Sequence, residues 1–357
     1  MPNATLADTC WPRSGFDTRN SACIPFAGPD TPTVLWDLEL TDTLTSKDWP
    51  LPQGAIVASD GNLRVISGGR MHSVSDAGRL LWTVPSPPRE YGSHIGGLPI
   101  ALSDGSVLFW ANYRLVLERD GQSESVAEVR GGDCGPSPNI SREGVVLAGQ
   151  GEIFVWDNER LRSLGDFGFD IVHPAIYPDG TLAVAAYAGL GLSRIALDGN
   201  ILWSTQPEDA DRLTVINLHD EVACASLNDH ITVVVDAEGV ELWRYPRVAT
   251  FSCHPDGGWN ALAKGRVERL SRSGQGVWSA PLETWPDSGS TQAIADIRGN
   301  LYIPCRQGLA AFDPDGQLLF QTNFTRGEPP ALDLPGLCPV GPGRMALVRR
   351  NRLMLIG

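Results

Sequence analysis

Lysine is almost absent from this chain. Of 28 basic residues only Lys47 and Lys264 are lysines, and 42 acidic residues bring the formal charge to −14. Displacing counterions from nucleic-acid phosphates takes a clustered basic face. Nucleic acid is therefore not expected as a partner, and neither is an anionic membrane surface. No apolar run approaches the roughly 18 residues that mark a spanning helix. The opening, Met1-Pro2-Asn3-Ala4-Thr5-Leu6-Ala7-Asp8, has neither the basic nor the apolar region of an export signal. The expected location is the cytoplasm. The seven cysteines (Cys10, Cys23, Cys134, Cys224, Cys253, Cys305, Cys338) are odd in number and show no CxxC spacing, so reduced thiols are expected rather than a disulfide framework or a zinc site. The six histidines show no HxH or HExxH spacing, so no metal is expected. No GxxxxGK[ST] occurs, and no GxGxxG follows a strand and opens a helix, so no nucleotide fold is indicated.

What the chain does have is 39 Gly, 27 Pro and 11 Trp against 6 Tyr, with 42% hydrophobic and 20% charged residues. That composition fits a packed, turn-rich, all-β protein. One unit recurs: a short apolar run, an Asp-Gly-type turn, a second apolar run, a second turn, then a strand centred on a large aromatic. Tyr177-Pro178-Asp179-Gly180 followed by Leu197-Asp198-Gly199-Asn200-Ile201-Leu202-Trp203 shows it well. Asp-Gly supplies the positive φ of a tight turn, and apolar runs of four to six residues read as strands buried on both faces.

The aromatic position runs through Trp36, Trp82, Val126, Leu164, Trp203, Trp243, Trp278 and Phe320. Its spacing of about 40 residues is that of a four-stranded propeller blade. The last unit is short of strands, and the strand at Val34-Leu35-Trp36-Asp37-Leu38 lacks its own blade, so the two should pair and close the ring. The expected fold is an eight-bladed β-propeller of four-stranded antiparallel blades, with seven blades as the alternative. Residues 1–32 form a lead-in packed on the propeller, and 33–357 form the propeller domain.

The opening Trp11-Pro12-Arg13-Ser14-Gly15-Phe16-Asp17-Thr18-Arg19-Asn20 and the stretch from Phe26 to Trp36 are similar to the lead-in of a known family. Together with the repeats, they make residues 11–357 resemble the pyrroloquinoline-quinone-type (quinoprotein alcohol dehydrogenase-like) propeller family. The resemblance implies the fold, and it spans both dehydrogenases and outer-membrane assembly scaffolds. A quinone dehydrogenase of that family would carry adjacent cysteines and carboxylate and amide ligands for calcium. This chain has no adjacent cysteine pair, and it is too short for the insertions that build that site. No cofactor is therefore expected. The scaffold members are lipoproteins, and no lipobox stands here.

A propeller's ligand site is usually its central funnel, ringed by the loops that enter each innermost strand. Aligning the blades on the Asp-Gly turn and stepping back six positions gives Gly54, Leu98, Ser137, His173, Thr214, Thr250, Gln292 and Gly336. His173 stands out as a general acid or base, or, structurally, as a satisfied buried imidazole. The entering loops add His94, Asp170 and Asp133 to the catalytic candidates. Tyr91, Ser137, Phe169, Thr214, Thr250, Trp285 and Gln292 are the ligand-binding candidates, since aromatics with carboxylates suit an apolar, neutral or cationic ligand. Cys134, in a Gly-rich loop, reads as an unreactive thiol before it reads as a nucleophile. Asp313-Pro314-Asp315-Gly316 reads as a hairpin turn before it reads as a calcium loop.

The functional expectation is a monomeric, cofactor-independent enzyme of a small-molecule, natural-product type of biosynthesis. It would hold an apolar substrate in the funnel and promote cyclisation, rearrangement or proton transfer, as a cyclase, isomerase or lyase. The alternative is a non-catalytic scaffold that binds a protein or peptide.

Overall fold

The computed structural model describes residues 5–13, 17, 19–40, 54–67, 70–85, 95–111, 114–128, 138–148, 151–157, 159–171, 174–189, 191–206, 213–219, 221–227, 231–247, 249–263, 265–282, 293–305, 308–324, 336–349 and 352–357. Every regular element among them is a β-strand, so no helix there is long and apolar enough to cross a membrane.

The strands form eight antiparallel sheets. Blades 1 to 7 occupy residues 54–85, 95–128, 139–166, 168–205, 213–245, 249–281 and 294–321. Blade 8 takes three strands from 336–356, and its fourth is Val34–Glu39, with Trp36 opposite Leu355 and Leu38 opposite Leu353. The ring is thus closed by the strand pairing expected from the sequence. In blade 4 the innermost strand is broken: Gly168–Ile171 and Ala175–Ile176 both pair with Leu182–Gly189.

The burial pattern explains why short apolar runs fold this way. The strands inside each blade are buried along nearly their whole length, whereas the outermost strands alternate between exposed and half-buried residues. An inner strand serves two interfaces because successive side chains point to opposite faces. In blade 4, Leu182 and Val184 pack with Val146 and Val155 of blade 3, while Ala183 and Ala185 pack with Ile216 and Val233 of blade 5. The largest cluster joins blades 7, 8, 1 and 2 to Trp11 and Ile24 of the lead-in.

The aromatic position of the repeat falls on the outermost strand of every blade. Four of these rings do the same job. Trp36, Trp203, Trp243 and Trp278 each donate their indole N–H to a carbonyl in a turn of the next blade, at 2.7–3.0 Å. Each ring also lies on the glycine of that turn: Gly78, Gly239, Gly274 and Gly316 would place a Cβ within 2.9 Å of it. The glycine is needed twice, for a positive φ and for the room the indole takes. The Asp-rich turns are hairpins: Asp313 Oδ1 accepts from the amides of Asp315 and Gln317, and Gly316 N–H closes onto Asp313 O. Arg194 bonds Asp179 of its own blade at 2.7 Å and Ala237 O of the next at 2.8 Å, tying blade 4 to blade 5.

Candidate functional site

In seven of the eight blades a residue at or next to the end of the innermost strand carries an amide N–H turned away from its own sheet, and each such donor needs a partner. The lead-in supplies five of them. Trp11 O accepts from Val57 in blade 1, and Pro12 O accepts from Ala101 in blade 2. Arg19 O, Ser21 O and Ala22 O accept from Leu218, Cys253 and Ala295 in blades 5, 6 and 7, all at 2.8–2.9 Å. In blade 8 the equivalent residue is Pro339, opposite Met345, which has no N–H to satisfy. The lead-in therefore lies across the ends of the innermost strands and closes one end of the ring, rather than bracing the rim.

Its centre is polar. Arg13 is fully buried and donates from Nε to Pro138 O at 3.3 Å and from Nη1 to Asn20 Oδ1 at 2.7 Å and Asp17 O. Asn20 Nδ2 donates to Ile216 O at 3.0 Å, and Asn217 Nδ2 donates back to Asn20 O. This network links blades 3 and 5 through the lead-in. Burial brings the Arg13 guanidinium down to about 10, with the Asp17 charge pulling the other way. The Asp17 carboxylate itself is occupied by the Arg19 guanidinium at 2.9 Å and by the amides of Arg19 and Ser21 at 3.0 Å. A second anchor lies on blade 7. Buried Asp296 accepts from the Gly28 amide at 2.9 Å and from Tyr302 Oη at 3.2 Å, and Arg298 bridges Asp296 to Asp30.

In blades 3 and 4 none of the described lead-in residues supplies such a carbonyl. In blade 3 the Ile140 amide bonds Asn139 Oδ1 at 2.8 Å instead. In blade 4 the turn has the same hydrogen bonds as in blade 1, Tyr177 N–H to Thr181 O as Ala58 N–H to Asn62 O. The Ile176 amide is therefore turned the same way, yet none of the described residues accepts from it. A cleft of about 500 Å³ lies at this place, between blades 3 and 4 and the lead-in, with Arg19, Ile140, Arg142, Ile176, Tyr177 and Asp179 among its walls. It exists because blade 3 turns early: Ser141 pairs directly with Gly144, whereas five residues separate Ile176 from its partner Leu182 in blade 4. Asp179 is engaged by Arg194 and Thr181, whose hydrogen bonds hold its carboxyl below the usual range against the upward push of burial. Arg194 also lies 4.1 Å over the Tyr177 ring.

The outer edges form the other unusual surface. Blades 4, 5, 6, 7, 8 and 1 are consecutive around the ring. Each carries exposed apolar residues beside its outer-strand aromatic, such as Leu202, Leu242, Val277, Leu319, Leu35 and Leu81, at 45–61% exposure. The outer strands Leu80–Pro85, Ile201–Thr205, Gly276–Pro281 and Leu318–Gln321 hold no charged residue at all. In blade 2 the corresponding strand reads Gln-Ser-Glu-Ser-Val-Ala-Glu.

Of the residues singled out in the sequence, His173, His94, Asp133, Tyr91, Ser137, Trp285 and Gln292 lie outside the described residues, as does Cys134. The backbones of Asp170 and Phe169 lie on Gly168–Ile171, and that of Thr214 on Leu213–His219, but their side chains lie outside the description. Thr250 is buried in blade 6 opposite Leu262, on the face of its strand away from the cluster that holds Phe251. Thr214 is also out of step with the other aligned positions. The blade 5 turn reaches its Asp one residue sooner, so Leu218 stands four residues after Thr214, whereas Val57 stands three after Gly54. Among the described residues no group of three or more His, Cys, Asp or Glu could hold a metal ion. Sequence reasoning passed over Arg13, Arg19, Asn20 and Arg142. The shortened blade 3 turn was the signal that could have marked Arg142.

No family model matches the chain, and no curated protein matches it. Solved structures do. BamB from Moraxella catarrhalis superposes with a TM-score of 0.65 at 13% identity, over 91% of this chain and 99% of that one. The computationally designed Ika8 protein gives 0.65 at 17%, over 85% and 96%. A catalytically inactive virginiamycin B lyase from Staphylococcus aureus, solved with quinupristin, gives 0.56 at 12%, over 75% and 96%. The chain is a β-propeller. At these identities the likeness carries the fold and nothing about activity.

Proposed function

We propose that the protein is a scaffold that binds an extended polypeptide along its outer edge strands. The carrying observation is the run of six neighbouring blades with exposed apolar residues at the edge, four of them on uncharged strands. An edge strand offers a row of unpaired backbone donors and acceptors, and proteins that avoid pairing there protect it with charge. Blades 2 and 3 have such charges on their outer strands, while most of the arc does not. An extended segment with alternating apolar residues would add a strand by main-chain hydrogen bonds and seat its side chains among these residues.

The test is native mass spectrometry of the protein from its own host, alongside a Leu81→Lys, Leu202→Lys, Leu319→Lys variant. A polypeptide held stoichiometrically by the natural protein and lost from the variant supports the scaffold. A polypeptide held equally by both, or none by either, sinks it.

A second reading keeps the funnel as the working part of a cofactor-independent enzyme for a small apolar metabolite. One feature favours it: the lead-in runs across the innermost-strand ends at one end of the ring, where it would form the bottom of a substrate pocket. Among the neighbours, the lyase was solved with a small molecule. On this reading the same spectra would show a bound small molecule, and His173→Ala would abolish its turnover.

A further inference from the structure

We infer that the outer edge of blade 7 takes an extended polypeptide strand whose apolar stretch is followed by lysine or arginine. This rests on the edge-strand reading above and adds which edge is used and what charge its partner carries. The outer strands of blades 1, 4, 6 and 7 hold no charge, but the turns that lead into them differ. Before the blade 1 strand, Asp76 is neutralised by Arg344 at 2.8 Å. Before that of blade 4, Asp198 accepts from the amide and side chain of Asn200. Before that of blade 6, Ser271-Arg272-Ser273-Gly274-Gln275 has a base and no acid. Before that of blade 7, Asp313-Pro314-Asp315-Gly316-Gln317 has two acids and no base. Asp313 Oδ1 holds the turn through the amides of Asp315 and Gln317, and Asp315 is exposed just ahead of the strand. In the strand itself Leu318 and Leu319 are exposed. Thr322 N–H bonds inward to Leu309 O, so the alternation of an antiparallel ladder turns the N–H and C=O of Gln321 outward. An antiparallel partner paired there would seat alternate apolar side chains beside the two leucines and pass the Asp turn at its C-terminal end. A base at that end meets two carboxylates. The −14 charge of the chain makes a second copy of it a poor occupant of this edge and a basic strand a favoured one.

The probes are two dye-labelled peptides, Thr-Val-Thr-Val-Thr-Lys-Lys and Thr-Val-Thr-Val-Thr-Glu-Glu, titrated into the full-length protein and followed by fluorescence anisotropy. The basic peptide should bind roughly tenfold more tightly at low salt, because exposed attractions in one become repulsions in the other. It should lose most of that advantage in about 1 M NaCl. Asp315→Asn, a change on an exposed turn, should cut the advantage by roughly threefold. Binding of the basic peptide that is unchanged in a folded Leu318→Ser, Leu319→Ser variant, or no binding of either peptide, would refute strand addition at this edge and with it the inference. Equal binding of both peptides that is lost in that variant, or an advantage indifferent to Asp315→Asn, would leave strand addition standing and overturn the basic partner alone.

Discussion

If the outer-strand tryptophans lock each blade to the next, adding one methyl group beneath an indole should cost far more than adding the same group in open space. Gly274 and Gly61 make the comparison clean. Both have a left-handed backbone, with φ of 78° and 76°. A Cβ on Gly61 meets nothing within 4 Å, whereas one on Gly274 would stand 2.5 Å from Trp243 Cδ2. Gly61→Ala should cost only the left-handed penalty of an L-residue, about 1 kcal/mol. Gly274→Ala carries that cost and must also lift the indole, which loses its bond to Arg272 O at 3.0 Å and its packing on the turn. Removing a core Trp costs about 3–5 kcal/mol. Half of that for a half-buried ring brings Gly274→Ala to about 3 kcal/mol in all. The assay is urea unfolding followed by far-UV circular dichroism, with each variant also made in a Trp243→Ala background. There Gly274→Ala should fall back to about 1 kcal/mol, a coupling of about 2 kcal/mol. If Gly274→Ala cost no more than Gly61→Ala, or if Trp243→Ala failed to rescue it, the wedge would not be what joins the blades.

Other consequences can be measured with the same protein. Arg13→Met leaves Pro138 O, Asp17 O and Asn20 Oδ1 without their donor, and it should lower stability by about 2 kcal/mol even after the relief of removing a buried charge; a urea midpoint equal to that of the natural protein would count against a structural floor. His254 is held below its usual 6.5 by burial and by Arg269, against the pull of Asp256. Below about pH 6.5 the unfolded chain therefore binds a proton that the folded one refuses. Stability should fall as pH drops through that window, and His254→Asn should flatten the slope; an unchanged slope refutes it. Burial pushes the Cys23 thiol up to about 11 and raises that of Cys338 well above its ordinary value. At pH 8 a thiol reagent should modify half-exposed Cys10 well before Cys338, which it should reach only on unfolding; early labelling of Cys338 would contradict the packing.

The repeat was legible without coordinates because its signals are local. Asp-Gly and Ser-Gly turns need a positive φ wherever they stand, and four-to-six-residue apolar runs have few ways to hide both faces. An aromatic every 40 residues or so marks the outermost strand even where it has decayed to Val126 or Leu164. The closing pair could be read too, because Val34–Glu39 was a strand without a blade and the last blade was a blade short of a strand. Register was less secure: one residue fewer in the blade 5 turn put Thr214 out of step.

What only the tertiary structure decided is where the lead-in goes. Its sequence has no periodicity, because it pairs with the ends of strands that lie up to some 270 residues away, as when Ala22 O meets Ala295. Whether Arg13 faces solvent or Pro138 depends on the whole ring having closed around it. The cleft between blades 3 and 4 has the same origin, because its walls are Arg19 of the lead-in and the turns of two blades, which only the closed ring brings together.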